Sequence, residues 1–305
     1  MGLIIRTPRA GRAVASGPMR HGIAILPEHP WREARPLWVE AEELGFDHAW
    51  TYDHVVWGGL PESRWFGAIP TLTAAATATS RIGLGVFVAS PNYRHPAPFA
   101  RDLQALADIS DDRLLLGLGA GGDPDSTLLG GPAPSPRDRV DRLQEFTDLL
   151  DRVLSTDHVT TNGRWFSTTD MRLRDEPIRP RNPFLLAGNG PRSIDYAART
   201  GDGWITTGPK ADDIEAWFAG VATSVGHLEA SLERAGRDRA SFPTYLSIDT
   251  SPAVSLSSTE LYIEMAGRAG ELGFSDVICH WPRDTAPYDG SLEVLHDIAD
   301  RVIGR

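Results

Sequence analysis

The sequence predicts an α/β fold, a (β/α)8 TIM barrel with a small insertion between the fourth helix and the fifth strand. Three observations carry this. Short apolar or β-branched runs alternate with longer stretches whose apolar residues recur three and four apart. Eight such strand and helix pairs follow one another from Met19 onward, the count and length expected of such a barrel. No composition break or linker divides the chain, which leaves a doubly wound sheet, the main structural rival, without a boundary between its halves. Residues 1–18 carry Arg6, Arg9 and Arg12 without an acid and read as a disordered extension or an early start; 19–305 read as a single domain.

The elements follow in order. "HGIAIL" (21–26) is a strand, and 31–44 places Trp31, Ala34, Leu37, Trp38, Ala41 and Leu44 on one helix face, stopped by Gly45. "FDHAWTY" (46–52) is the second strand, followed by a small-residue helix at 69–80. "IGLGVFVAS" (82–90) is the third, and the helix 96–110 opens with Pro96, where a missing N–H costs little. "RLLLGLG" (113–119) and a long helix at 136–154 complete the fourth pair. The stretch 158–183 predicts a hairpin insertion turning at Asn162-Gly163. The rhythm resumes with strands at 184–188, 203–207, 242–249 and 274–281, each leading into a helix.

The totals exclude several classes. With 41 acidic against 30 basic residues, a formal charge of -11, the chain has no general electrostatic grip on nucleic acid or an anionic membrane surface. No apolar run approaches the roughly 20 residues of a membrane span. The single cysteine, Cys279, excludes an internal disulfide and fits a reducing cytoplasm, and its strand context reads as apolar filler. No metal site is expected: the nine histidines form neither His-x-His nor His-Glu-x-x-His. A serine nucleophile elbow is also missing.

Residues just past the carboxyl ends of barrel strands line the face where such barrels do chemistry. That puts Asp53 and His54 of "TYDH" on the working face, the imidazole able to exchange a proton near neutrality and the adjacent carboxylate able to orient it. Trp50, Trp57 and Trp65 are either a wall for a flat ligand or core. His95 and His280 are either substrate-facing or hydrogen-bonded spacers. "GLGAGG" (117–122) matches G-x-G-x-x-G after a strand, but a Pro- and Gly-rich loop follows instead of a helix. Its glycines Gly119 and Gly121, with Ala120, are read as letting a ligand approach the backbone. "AGNGPRS" (187–193) lies between a strand and a helix. It is either a phosphate turn, with Arg192 adding charge, or an ordinary connection.

Taken together, "LGFDHAWTYDH", "RIGLGVFVASPNYRHP", "DRLLLGLGAG" and "PFLLAGNGPRSIDYAARTGDGW" resemble the bacterial-luciferase-like flavin and deazaflavin oxidoreductases, from Met19 to the last helix. The resemblance implies a flavin-type ring across the barrel mouth and a homodimer. His54 matches the active-site histidine of the coenzyme F420 branch, with Asp53 its neighbour against the cofactor. Phe87, Val88, Ala89 and Ser90 match a bulged third strand that backs the ring, with a non-prolyl cis peptide expected at Phe87–Val88. Gly119, Ala120 and Gly121 are expected near the cofactor; Gly188, Asn189 and Gly190, with Pro191 and Arg192, match the phosphate-binding turn; Trp57 and His280 are expected to meet substrate. One departure bears on the substrate. Some deazaflavin dehydrogenases of this family carry a glutamate, a second proton-transfer group, just after the Gly-x-Gly of strand four, where this chain has Gly122 and then Asp123. That argues against a sugar-phosphate dehydrogenase.

The expectation is therefore a coenzyme F420-dependent oxidoreductase acting on a small organic substrate, His54 assisting proton transfer. The alternatives are an FMN-dependent monooxygenase fed reduced flavin by a partner reductase, and a non-redox barrel or non-catalytic flavin-binding protein.

Overall fold

The structure, a computed structural model, describes residues 17–122, 124–173 and 181–304. The expected extension at 1–18 therefore lies almost wholly outside the described residues. Eight parallel strands close into a barrel in the order β1-β10-β9-β8-β7-β4-β3-β2. They are β1 (Arg20–Ala24), β2 (His48–Thr51), β3 (Gly83–Ala89), β4 (Leu114–Leu118), β7 (Phe184–Ala187), β8 (Gly203–Thr206), β9 (Thr244–Ser247) and β10 (Asp276–His280). Closure rests on β1 pairing with both β2 and β10, Ala24 lying between Trp50 and His280.

The helices α1 (Trp31–Glu43), α2 (Ala68–Ala78), α3 (Pro96–Ile109), α5 (Pro136–Ser155), α6 (Pro191–Thr200), α7 (Ile214–Arg234), α8 (Thr259–Glu271) and α9 (Leu292–Ile298) follow the barrel strands in sequence. A short α4 (Asp125–Leu128) precedes α5. The expected face of α1 is the buried one: Ala34, Trp38 and Ala41 are covered, and Trp31, Leu37 and Leu44 pack at the margin. Capping explains several helix starts. Ser135 accepts from the amide of Asp138 and Asp213 from that of Ala216. Among the described residues no helix is long and apolar enough to cross a membrane.

The insertion is the antiparallel hairpin β5 (Val159–Asn162) and β6 (Ser167–Met171). Its turn is longer than the Asn162-Gly163 pair suggested, because Glu145 of α5 organises it from outside. The carboxylate accepts from the amides of Arg164, Trp165 and Phe166 at 3.1, 2.8 and 2.7 Å.

Inside the barrel, the amino-terminal half is filled by a set of hydrogen-bonded polar and aromatic side chains. Trp50 Nε1 donates to His48 Nδ1 at 2.7 Å, so His48 carries its hydrogen on Nε2 and donates to Asp276 at 2.8 Å. Arg20 donates to Asp276 at 3.0 Å and to the Tyr245 hydroxyl at 2.9 Å. Burial alone would raise the Asp276 pKa, but the hydrogen bond from His48 and the charge of Arg20 hold it below the usual carboxylate range. This polar plug seals the end of the barrel away from the expected site.

Candidate active site

The carboxyl end of β2 runs into Tyr52, Asp53 and His54, and the three side chains diverge. Asp53 turns into protein: Arg94 grips it through Nε at 2.5 Å and Nη2 at 2.7 Å, and the Tyr93 hydroxyl donates to the same carboxylate. Burial opposes the Arg94 charge, yet this bidentate pair raises its pKa above the ordinary arginine value. Arg94 also lies over the Phe99 ring at 4.6 Å. Asp53 thus fastens the β3–α3 connection to β2.

The residue that orients His54 is Asp125, which corrects the expectation that Asp53 does so. The imidazole Nδ1 lies 2.9 Å from Asp125 Oδ2, while Asp125 Oδ1 accepts from the amides of Val55 at 2.9 Å and Val56 at 3.4 Å. Asp125 is fully buried and His54 is 14% exposed at its side chain. Burial alone would raise the Asp125 pKa; the His54 hydrogen bond and charge and the two amides overcome it and hold the carboxyl low. An ionised carboxylate only accepts, so Nδ1 carries the hydrogen and Nε2 of a neutral ring is the basic nitrogen. The neighbouring Asp123 lies outside the described residues.

β3 supplies a wall. Its Phe87–Val88 peptide is cis, at the bond expected, and the β3–β4 register shifts between Val86 and Ala89. Phe87 faces the barrel interior against Trp50 and Tyr52, at 6.1 and 5.6 Å between ring centroids. Ala89 and Ser90 are buried, and Ser90 Oγ accepts from the Asn92 amide at 3.3 Å. Asn92 Oδ1 is buried with no protein partner.

The glycines after β4 also serve this wall. A Cβ on Gly119 would fall 2.5 Å from Val88 Cγ2, and one on Gly121, at φ +66°, 2.2 Å from Asn92 Nδ2. Protein already fills that space. Ala120, between them, is half-buried against the core.

The turn after β7 has equally specific internal bonding. Asn189 Oδ1 accepts from Thr206 Oγ1 at 2.8 Å and its Nδ2 donates to Thr207 Oγ1 at 2.7 Å. A Cβ on Gly188 would fall 2.7 Å from that of Ser193. Gly190 caps α6 and Pro191 begins it. Arg192 pairs with Asp141, so its charge is answered within the protein. Pro191 has no N–H and the amides of Ser193 and Ile194 donate to the Gly190 carbonyl at 3.1 and 3.0 Å, so what the turn still offers an anion is the positive end of the α6 dipole.

A second polar array, which sequence reasoning did not find, closes the β10 side. His280 is 1% exposed and does not meet the open mouth itself, contrary to expectation. Its ring lies 3.6 Å under that of Tyr288, nearly parallel, and its Nε2 is 2.8 Å from the Tyr52 hydroxyl. Tyr52 also bonds the Tyr288 hydroxyl at 2.9 Å. Behind, Asp249 Oδ2 accepts from the His280 amide at 2.5 Å and faces its Nδ1 at 3.3 Å. Trp57 lines the mouth, parallel to Tyr288 at 6.1 Å and beside Trp65 at 5.8 Å. Trp50 is core. Of the two readings of His95 the hydrogen-bonded one fits: it caps α3, its Nδ1 accepting from the Ala97 amide at 3.2 Å. Among the described residues, no cluster of three or more His, Cys, Asp or Glu is placed to hold a metal ion.

Comparison with known proteins places this barrel among the oxidoreductases. The chain belongs to the luciferase-like monooxygenase family, whose model matches residues 12–277. It is 32% identical over 260 residues, 80% of this chain and 77% of the relative, to an F420-dependent glucose-6-phosphate dehydrogenase of Kineococcus radiotolerans. It is 31% identical over 233 residues, 73% of this chain and 64% of the relative, to an F420-dependent hydroxymycolic acid dehydrogenase of Mycobacterium tuberculosis. Among solved structures, an F420-dependent secondary alcohol dehydrogenase in complex with an F420–acetone adduct superposes with a TM-score of 0.78. That match is 17% identical and covers 92% of this chain and 98% of the other, a likeness of fold.

Proposed function

We propose that the chain is an oxidoreductase that passes a hydride between coenzyme F420 and a small organic substrate, with His54 assisting the proton movement that accompanies it. The observation that carries this is the His54–Asp125 pair, held at 2.9 Å on the working face beside the bulged β3 wall. Relatives at 31–32% identity that are named for their dependence on F420 support the choice of cofactor.

The residues present fit such a ring. The wall is apolar from Phe87 to Ala89 and backed by Gly119, and Asn92 Oδ1, just past β3, and Ser247 Oγ, at the end of β9, are buried polar atoms without a protein partner. A ring with N–H and C=O edges offers such atoms their missing hydrogen bonds. The cofactor's tail phosphate fits the positive amino-terminal end of α6 after Gly188 and Asn189. When bound, the deazaflavin supplies the carbon that carries the hydride. The protein positions the ring against the wall, excludes water with Trp57 and Trp65, and holds the imidazole in one tautomer. The substrate is not assigned to the sugar phosphates of the named relatives, because Gly122 stands where a proton-transferring glutamate is expected.

An FMN-dependent monooxygenase using dioxygen and a partner flavin reductase is the second reading, favoured by the description of the family itself. Titration of the protein with each cofactor, followed by tryptophan fluorescence, separates the two. Saturable quenching by coenzyme F420 supports the proposal; tight FMN binding with no response to the deazaflavin overturns it. A homodimer resident in the cytoplasm belongs to the same proposal, and sizing in solution tests the assembly.

A further inference from the structure

The Tyr52, His280, Asp249 and Tyr288 array is built as tightly as the His54 site, yet the reading above leaves it without a task. All four of its members carry polar groups and are buried, at the end of a barrel otherwise lined by apolar and aromatic side chains. Tyr288 sits in the left-handed backbone region at φ +67°, which a bulky aromatic adopts only when its surroundings impose it. Here the stack on His280 and the bond to Tyr52 impose it.

The hydrogen bonds have a direction. Asp249 accepts on both oxygens, from the Ser255 amide at 2.7 Å and from the His280 amide at 2.5 Å, and His280 Nδ1 faces the second oxygen. Nδ1 therefore carries the hydrogen, and Nε2 accepts from the Tyr52 hydroxyl. Burial pushes the Tyr288 phenol up to about 12 despite the bond to Tyr52, so Tyr288 remains a donor to the Tyr52 oxygen at neutral pH. These bonds draw proton density toward an imidazole backed by a carboxylate.

We propose that Tyr52, with His280 and Asp249 positioned behind it, is a second proton-transfer group of the site and accepts the hydroxyl proton of an alcohol substrate. This rests on the oxidoreductase reading above. Oxidation of an alcohol by a deazaflavin releases one hydride and one proton from the substrate, and the reduced ring takes up one further proton. In the step, the C–H electron pair leaves with the hydride to the ring, and the O–H pair becomes the second bond of the carbonyl. The hydroxyl proton passes to the Tyr52 oxygen as the Tyr52 proton passes to His280 Nε2, leaving an imidazolium beside Asp249. His54 is left with the proton that follows the hydride onto the ring. Reduction of a carbonyl runs the same transfers backward. The Tyr52 and His54 rings lie 6.3 Å apart, close enough to serve one bound substrate and one ring. The array also takes over the task for which Gly122 has no side chain.

The test uses the full chain and Tyr52→Phe. In the cofactor-free wild type, nitrogen-15 NMR of His280 should report the Nδ1–H tautomer, and Tyr52→Phe should move the Nε2 resonance. With coenzyme F420 and an alcohol series, the variant should bind cofactor as the wild type does while kcat falls on the order of 100-fold. An Nε2–H tautomer in the wild type, or variant turnover within threefold of wild type, overturns the assignment of Tyr52 and leaves the cofactor reading intact. A wild type that turns over no substrate with the deazaflavin overturns the cofactor reading, and this inference with it.

Discussion

Replacing Asp125 by Asn tests the orientation of His54 without emptying the space. The geometry dictates how the amide must lie. Oδ1 accepts from the amides of Val55 and Val56, so the oxygen of the new side chain has to stay there, and its NH2 must face His54 Nδ1. Nδ1 then becomes the acceptor and the hydrogen moves to Nε2, the wrong tautomer for a base. Where an active-site imidazole is mis-tautomerised in this way, turnover falls by up to about 10,000-fold; for a site where His54 only assists, about 100-fold is expected. Stability changes much less than for Asp125→Ala, which leaves two buried amides unpaired at about 1–3 kcal/mol each. The pH dependence has a definite sign. The folded carboxyl sits below its ordinary value of 3.8, so its contribution is complete above that pH and is lost as pH falls through the lower, folded value. The stability difference between wild type and Asp125→Asn should therefore shrink in acid. The assays are steady-state turnover, nitrogen-15 NMR of His54 and denaturant melts from pH 7 to pH 2. Turnover within threefold of wild type, with the NMR showing the hydrogen moved to Nε2, would refute the reasoning.

Other outcomes follow from the same geometry. Asp53→Asn leaves the buried Arg94 guanidinium with a neutral partner and should cost about 3–5 kcal/mol, read as a drop in Tm larger than that of Asp125→Asn; an unchanged Tm would free Asp53 for a direct role. Gly119→Ala drives a Cβ to 2.5 Å from Val88 Cγ2 and should cost about 1–3 kcal/mol while weakening cofactor binding at the β3 wall; wild-type affinity would show that the wall is not a cofactor surface.

The barrel was legible because its information is local. Each strand and helix announces itself within a dozen residues, by alternation, three-and-four spacing or a capping residue, and the closed order then follows from chain direction. His54 and the Phe87–Val88 bond were legible through resemblance, position by position. The partners were not. His54 and Asp125 are 71 residues apart, and Tyr52 and His280 are 228 apart, so no window contains either pair. Adjacency misled in one case: Asp53 stands next to His54 in the chain, but successive residues leaving a strand diverge, and Asp53 went to Arg94. The glycines after β4 carry a different ambiguity, since a residue chosen for lack of a side chain does not announce whether ligand or protein fills the space.

The central claim is a deazaflavin lying over the barrel mouth with a carboxylate-held imidazole beside it. Its most direct test is the absorbance of coenzyme F420 bound to wild type and to His54→Ala, before and after mixing with an alcohol substrate. The account predicts that both proteins bind the oxidised ring with similar affinity and that wild type bleaches it upon mixing while His54→Ala leaves it coloured. Bleaching by the variant at the wild-type rate, or a wild type that holds FMN and ignores the deazaflavin, would contradict it.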